Sequence, residues 1–208
     1  MPSPEYRALV SAIADLKLGL IDFEPSPAEP YTAGALLKCQ AFVVFAHAET
    51  QAYWEAVARR ILREATERWK RDWTADRVIA TLVAFRSDKL AVPDDPASPH
   101  EGGNFIRIVE HCAVKQGKVI DDNNGIKRPN VSELLLPLGV LPADLPEALL
   151  ILLDQTGKKR GDMVHKSSRV SLRTVRDPFA DEISDIDHLV GEIGSFDQVL
   201  EQLALLSH

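Results

Sequence analysis

Apolar residues recur at spacings of three and four along most of the chain, while the strict alternation of a half-buried strand is almost absent. The first such segment, about Glu5 to Leu20, sets Leu9, Ile13, Leu16 and Leu20 on one side of a helix. The stretch IDFEPSPAEPY packs prolines into a short span and predicts a loop. A long helix is predicted from about Thr32 to Arg71, with the stripe Phe42, Phe45, Glu49, Tyr53, Ala56, Arg60. Glu49 falls one turn from Phe45 and one turn from Tyr53 on this largely apolar face. It marks either the margin of a core, paired with a neighbouring arginine, or a polar cleft. The charged run REATERWKRD predicts a solvated helix end.

A third helix is expected over about Ala75 to Arg86, followed by the surface loop VPDDPASPHEGGN, in which His100 is solvated. A fourth spans about Phe105 to Gln116; its His111 has no metal-spaced partner and is assigned a structural role. DDNNGIKRPN reads as another loop. Beyond it, Asp144 and Glu147 suit a reciprocal capping arrangement at the start of a helix. Leu145, Leu149, Ile151, Leu152 and Leu153 make that helix apolar nearly all round, and Gly157 offers a left-handed stop. The last helix has Asp177 as its cap and Pro178 in its first turn, with Asp181 and Glu182 suited to the positive end of the dipole. Its seam of Phe179, Ile183, Ile186, Val190, Ile193, Phe196, Leu200 and Leu203 can pack within the domain or against a second chain. The expected fold is all-α: an up-and-down helical bundle with long surface loops, formed as one domain by residues 1–208.

An apolar fraction of 45% is enough for a sizeable core, and a net charge of −7 argues against a general nucleic-acid coat. The two cysteines, Cys39 and Cys112, lie in helical apolar segments far apart, so buried free thiols and a reducing cytoplasm are expected. The opening MPSPEYRALV lacks the basic flank and apolar core of a signal peptide, and no apolar run is long enough to span a membrane.

Charge is concentrated in one place. Lys158, Lys159, Arg160, Lys166, Arg169, Arg173 and Arg176 fall within residues 158–176 against the single acid Asp162. Cations near a helix end suit the dipole, which covers Lys158 and Lys159 but not the later ones. The patch suits a polyanion, with Lys158, Lys159, Lys166, Arg169 and Arg173 as candidate RNA contacts. Within it, Arg160 and His165 form R-x4-H. Histidine can take and return a proton near neutral pH, and arginine can brace a phosphate with two N–H groups. A histidine deprotonating the ribose 2′-OH and an arginine stabilising the pentacoordinate phosphate would cleave RNA without a metal or other cofactor. Residues five apart on a regular helix point about 140° away from each other. Either Gly161 breaks the helix and re-aims the pair, or a second chain completes the site.

At these residues the sequence resembles the HEPN superfamily, most closely its RiboL-PSP-HEPN type. The carrying segments are FVVFAHAETQAYWEAV, LLPLGVLPADLPEALLILLDQTGKKRGDMVHKSS and RDPFADEISDIDHLVGEIGSFDQVLEQL. The resemblance implies a homodimeric all-α bundle and a metal-independent endoribonuclease, often part of toxin–antitoxin or phage-defence systems with an antitoxin or defence partner. It maps the family's arginine to Arg160, its histidine to His165, and a polar residue of the long helix to Glu49. The family often has a polar residue after the arginine; here Gly161 stands there, followed by Asp162. Some members are inactive, which keeps open a non-catalytic module binding a nucleotide, nucleic acid or partner protein.

Overall fold

Ser3 opens the first helix, and its hydroxyl accepts from the Tyr6 amide at 3.0 Å. A computed structural model describes residues 2–25, 30–87, 102–165 and 176–205. The helices are α1 Pro4–Leu20, α2 Ala33–Asp72, α3 Arg77–Arg86, α4 Gly102–Asp121, α5 Arg128–Leu135, α6 Glu147–His165 and α7 Ser184–Leu205. A π-turn, Pro178–Ile183, leads into α7, and two short 3-10 turns, Leu136–Leu138 and Pro142–Asp144, join α5 to α6. Among the described residues there is no strand, so the fold is all-α. No helix among them is long and apolar enough to cross a membrane. Residues 88–101, which hold most of the expected loop VPDDPASPHEGGN with His100, lie outside the described residues, as do 166–175, and the last three residues of that loop, 102–104, instead open α4.

α2 is the mast of the bundle. Its 40 residues span about 60 Å, and it packs against α1, α3, α4, α5, α6 and α7. Its buried positions are spread over more than one face because neighbours surround it: Cys39, Phe42, Val43, Ala46, Thr50, Tyr53, Trp54, Val57 and Ala58 all lie in the core. This shifts the expected stripe. Phe45 is 51% exposed, and the inward ridge passes instead through Val43, Ala46 and Thr50. Thr50 is tolerated there because its hydroxyl donates back to the Ala46 carbonyl at 2.8 Å.

The two ends of the chain meet at Asp197, a fully buried carboxylate on α7. It accepts from the Ser3 amide at 2.8 Å, the Ser3 hydroxyl at 2.6 Å and the Tyr53 hydroxyl at 2.9 Å. Three donors satisfy the group that burial would otherwise penalise. Burial and Asp197 together push the Tyr53 phenol above its ordinary range. The last seam is thus used within the domain, with Ile186, Leu189, Ile193, Phe196 and Leu200 in the core.

Several predicted boundaries move. α4 runs past Gln116, whose buried amide donates to the Glu133 and Leu134 carbonyls and accepts from Arg86. α5 forms inside and beyond the span read as a loop. Pro129 fits its first turn, and its N-terminal amide, Arg128 N, donates to Asp154 of α6 at 2.8 Å. Asp144 caps one turn earlier than expected: it accepts from Leu141 N at 2.8 Å and pairs with Arg77. Most consequentially, α6 does not stop at Gly157, and Gly161 does not break it. Neither glycine has positive φ, and the helix continues to His165. His111 is exposed on α4. Cys39 and Cys112 are buried and free of disulfide.

Candidate nucleic-acid site

The C-terminal half of α6 lies on the N-terminal half of α2. Gln40 Nε2 donates to the Met163 carbonyl at 3.2 Å, which pins the last turn of α6. Two turns along α2 from Gln40 comes His47, which faces the part of α6 that bears Arg160. On the neighbouring side Lys127, the residue that precedes α5, lays its aliphatic stem across Gly157. A Cβ on Gly157 would sit 2.7 Å from Lys127 Cγ. Gly157 is therefore a close-approach glycine, which accounts for it within an uninterrupted helix.

His47 is 4% exposed. Burial pushes its imidazole down to about 4, and the nearby charges of Arg160 and Lys127 push the same way. The ring is neutral at physiological pH, with one nitrogen able to donate and the other to accept. No hydrogen bond from a described residue reaches it. The sealed side-chain atoms without a hydrogen bond among the described residues include Glu5 Oε2, Trp54 Nε1, Arg60 Nε and Trp69 Nε1. The His47 nitrogens are not among them.

Arg160 is half-buried, and no described acceptor engages it. Elsewhere the half-buried arginines are paired: Arg60 with Glu5 and Glu201, Arg68 with Asp76, Arg86 with Gln116 and Glu133, Arg128 with Glu147 and Asp154. Lys127 is exposed and likewise without an acid partner among the described residues. Two cations and one imidazole thus lie near one another beside the α2–α6 contact without a partner among the described residues.

The other predicted residues are distributed differently. His165 is the last residue of α6, and its side chain lies outside the described residues, as do Lys166, Arg169 and Arg173. Since α6 is continuous, the Cα positions of residues 160 and 165 lie about 140° apart around its axis. Lys158 is exposed. Lys159 is held internally, its ammonium 2.6 Å from Glu182 Oε2 and 3.0 Å from Asp185 Oδ2. Arg176 joins the same acids, with its amide on Glu182 Oε1 at 3.1 Å and its guanidinium on Asp185 at 2.5 Å. Burial would raise the Asp185 carboxyl, but hydrogen bonds from Lys159 and Arg176 carry it below its ordinary value. Next to this cluster the Cys39 thiol is pushed up to about 12, by burial first and then by Glu182, so it stays protonated.

Glu49 is not brought to Arg160. It lies about 200° around α2 from His47, in a groove of about 390 Å³ lined also by Glu5, Ala8 and Tyr53 between α1 and α2. The expected pairing of Glu49 with a neighbouring arginine does not form among the described residues. His47 and Lys127 are the residues that sequence reasoning missed. The sequence signal for His47 was its place four residues from Val43 and three from Thr50, on the face that the core occupies. Among the described residues no three His, Cys, Asp or Glu side chains gather so as to hold a metal ion. The chain matches no family model, no curated protein and no solved structure.

Proposed function

We propose that the chain is a metal-independent endoribonuclease of HEPN type, with Arg160 bracing the scissile phosphate and His165 shuttling the proton at a cleft between two copies of the chain. The observation that carries this reading is the half-buried Arg160 guanidinium, without an acceptor among the described residues, five residues before a histidine on the same helix. A guanidinium so placed is ready for a bidentate oxyanion rather than for the fold. The continuity of α6 supports the two-copy site, because one straight helix splays the pair and a symmetric partner returns the second histidine to the first arginine. DNA lacks the 2′-OH nucleophile, so RNA is the substrate class. Such an activity suits a toxin or phage-defence component held in check by an antitoxin or another partner.

Purified protein incubated with RNA, with and without chelator, tests the reading. Cleavage that survives chelation and disappears in His165→Ala is the expected result. Salt-sensitive RNA binding with no cleavage would make the chain a non-catalytic binding module instead. A monomer at micromolar concentration would remove the composite cleft.

A further inference from the structure

The sequence motif supplies one phosphate ligand, Arg160, but the fold surrounds that residue with two groups outside the motif. Lys127 reaches the site from the start of α5 only because Gly157 lets its stem lie flat on α6. His47 reaches it from α2. A buried imidazole is ordinarily hydrogen-bonded, since an unmet polar group away from water costs free energy. This one is more than nine-tenths buried and has no hydrogen-bond partner among the described residues. Both charged neighbours whose fields act on it are cations, Arg160 of α6 and Lys127 before α5. Two unpaired cations beside an unpaired donor make a setting that an anion completes.

We infer that His47, Lys127 and Arg160 form an oxyanion pocket that takes one phosphate group of the RNA strand, with the His47 ring donating a hydrogen bond to a non-bridging oxygen. The inference deepens the ribonuclease reading and rests on it for the identity of the ligand. In the pocket, Arg160 offers a planar fork, Lys127 a point charge, and His47 a fixed neutral donor whose orientation the α2–α6 packing holds. An ammonium in place of the imidazole would be costly to bury beside two cations, which is why a neutral donor suits this wall. Lys127 and His47 are positioning and binding groups; no proton need leave either.

The test separates binding from cleavage. The full-length protein is titrated with a 2′-O-methyl RNA oligonucleotide, which cannot be cleaved, while the histidine ring signals are followed by NMR and the His47 signal is assigned with His47→Gln. The expected result is a shift of the His47 ring signals on saturation, with affinity lowered about tenfold in Lys127→Ala and in Arg160→Ala. Arg71→Ala, at the far end of α2, controls for net charge and should bind as the unsubstituted chain does. Unmoved His47 signals at saturation, or undiminished binding by Lys127→Ala, overturn the pocket even if unmodified RNA is cleaved. Shifted signals and weakened variants uphold it even if no RNA is cleaved, in which case only the nuclease reading is lost.

Discussion

Lys159 and Arg160 are neighbours in sequence, yet they belong to opposite electrostatic regimes. Lys159 turns toward α7 and is closed in a cluster with Glu182, Asp185 and Arg176, where a carboxylate with no exposed surface holds it. Arg160, about 100° further round the helix, turns toward α2 and has no acceptor there. The same stretch of basic sequence therefore supplies both a structural clamp and a cation with no acceptor among the described residues. Counting positive charges along the chain does not separate the two; the location of the acids does. Glu182 and Asp185 sit more than twenty residues away from Lys159 in sequence and meet it only across the α6–α7 interface.

Breaking the clamp should have the largest effect. Glu182→Ala leaves the Lys159 ammonium and the Arg176 amide without their buried acceptor. Loss of one partner of a buried pair costs about 3 kcal/mol or more, and urea unfolding should show a midpoint lowered accordingly. A change near zero would mean that Lys159 swings to solvent and that the two regions are less different than their geometry implies. The equivalent truncation on the other side, Arg160→Ala, removes a side chain that no described acceptor engages, so stability should stay within about 0.5 kcal/mol of the parent chain. RNA turnover should nevertheless be lost. A large drop in stability for Arg160→Ala would reassign the residue to the fold.

Acid should sharpen the contrast next. The folded chain holds the His47 imidazole down to about 4, below the ordinary histidine value near 6.5. Between those values the unfolded chain binds a proton that the folded chain does not, so stability rises with pH across this window and falls as pH is lowered through it. The full difference amounts to about 3 kcal/mol, complete once pH is below the folded value. Carboxylates titrate in the same range, and the comparison with His47→Gln isolates the contribution of the ring. The unfolding free energy of the parent chain minus that of His47→Gln should fall by about 3 kcal/mol on acidification from pH 7 to pH 4. A constant difference would place His47 in a wetter setting than its burial indicates.

What was legible in the sequence was whatever is local. Asp177 was readable as a cap because it acts on its own next turn, accepting from Phe179 N and Ala180 N. The 3.6-residue repeat of α1 was readable for the same reason. α5 was not, because its N-terminal amide is met by Asp154 from another helix, and a proline in a polar stretch reads equally well as a loop. The end of α6 was misplaced because Gly157 signals a stop when taken alone; its actual role depends on Lys127, thirty positions earlier, lying against it. Glu182 read as an acid suited to a helix start, and its task as a buried counter-ion required knowing that α7 packs on α6. At the candidate site motif chemistry singles out Arg160 in the sequence. It does not single out His47, since nothing near it in sequence marks which helix its face will meet.

The smallest effect should come from the residue that makes the pocket's geometry possible. Gly157→Ala adds a Cβ 2.7 Å from Lys127 Cγ, closer than two carbons tolerate, so the lysine stem must lift from α6. Alanine is favoured over glycine within a helix by about 1 kcal/mol, which offsets the lost packing, so the unfolding midpoint should barely move. The ammonium, however, would leave its place beside Arg160 and His47, and oligonucleotide affinity should fall by a few-fold. That combination, an intact fold with weakened binding, distinguishes a cation held in position by backbone contact from one that merely adds to the local charge. If Gly157→Ala binds as tightly as the parent while Lys127→Ala does not, the ammonium finds the phosphate without its groove, and the pocket is set by charge alone.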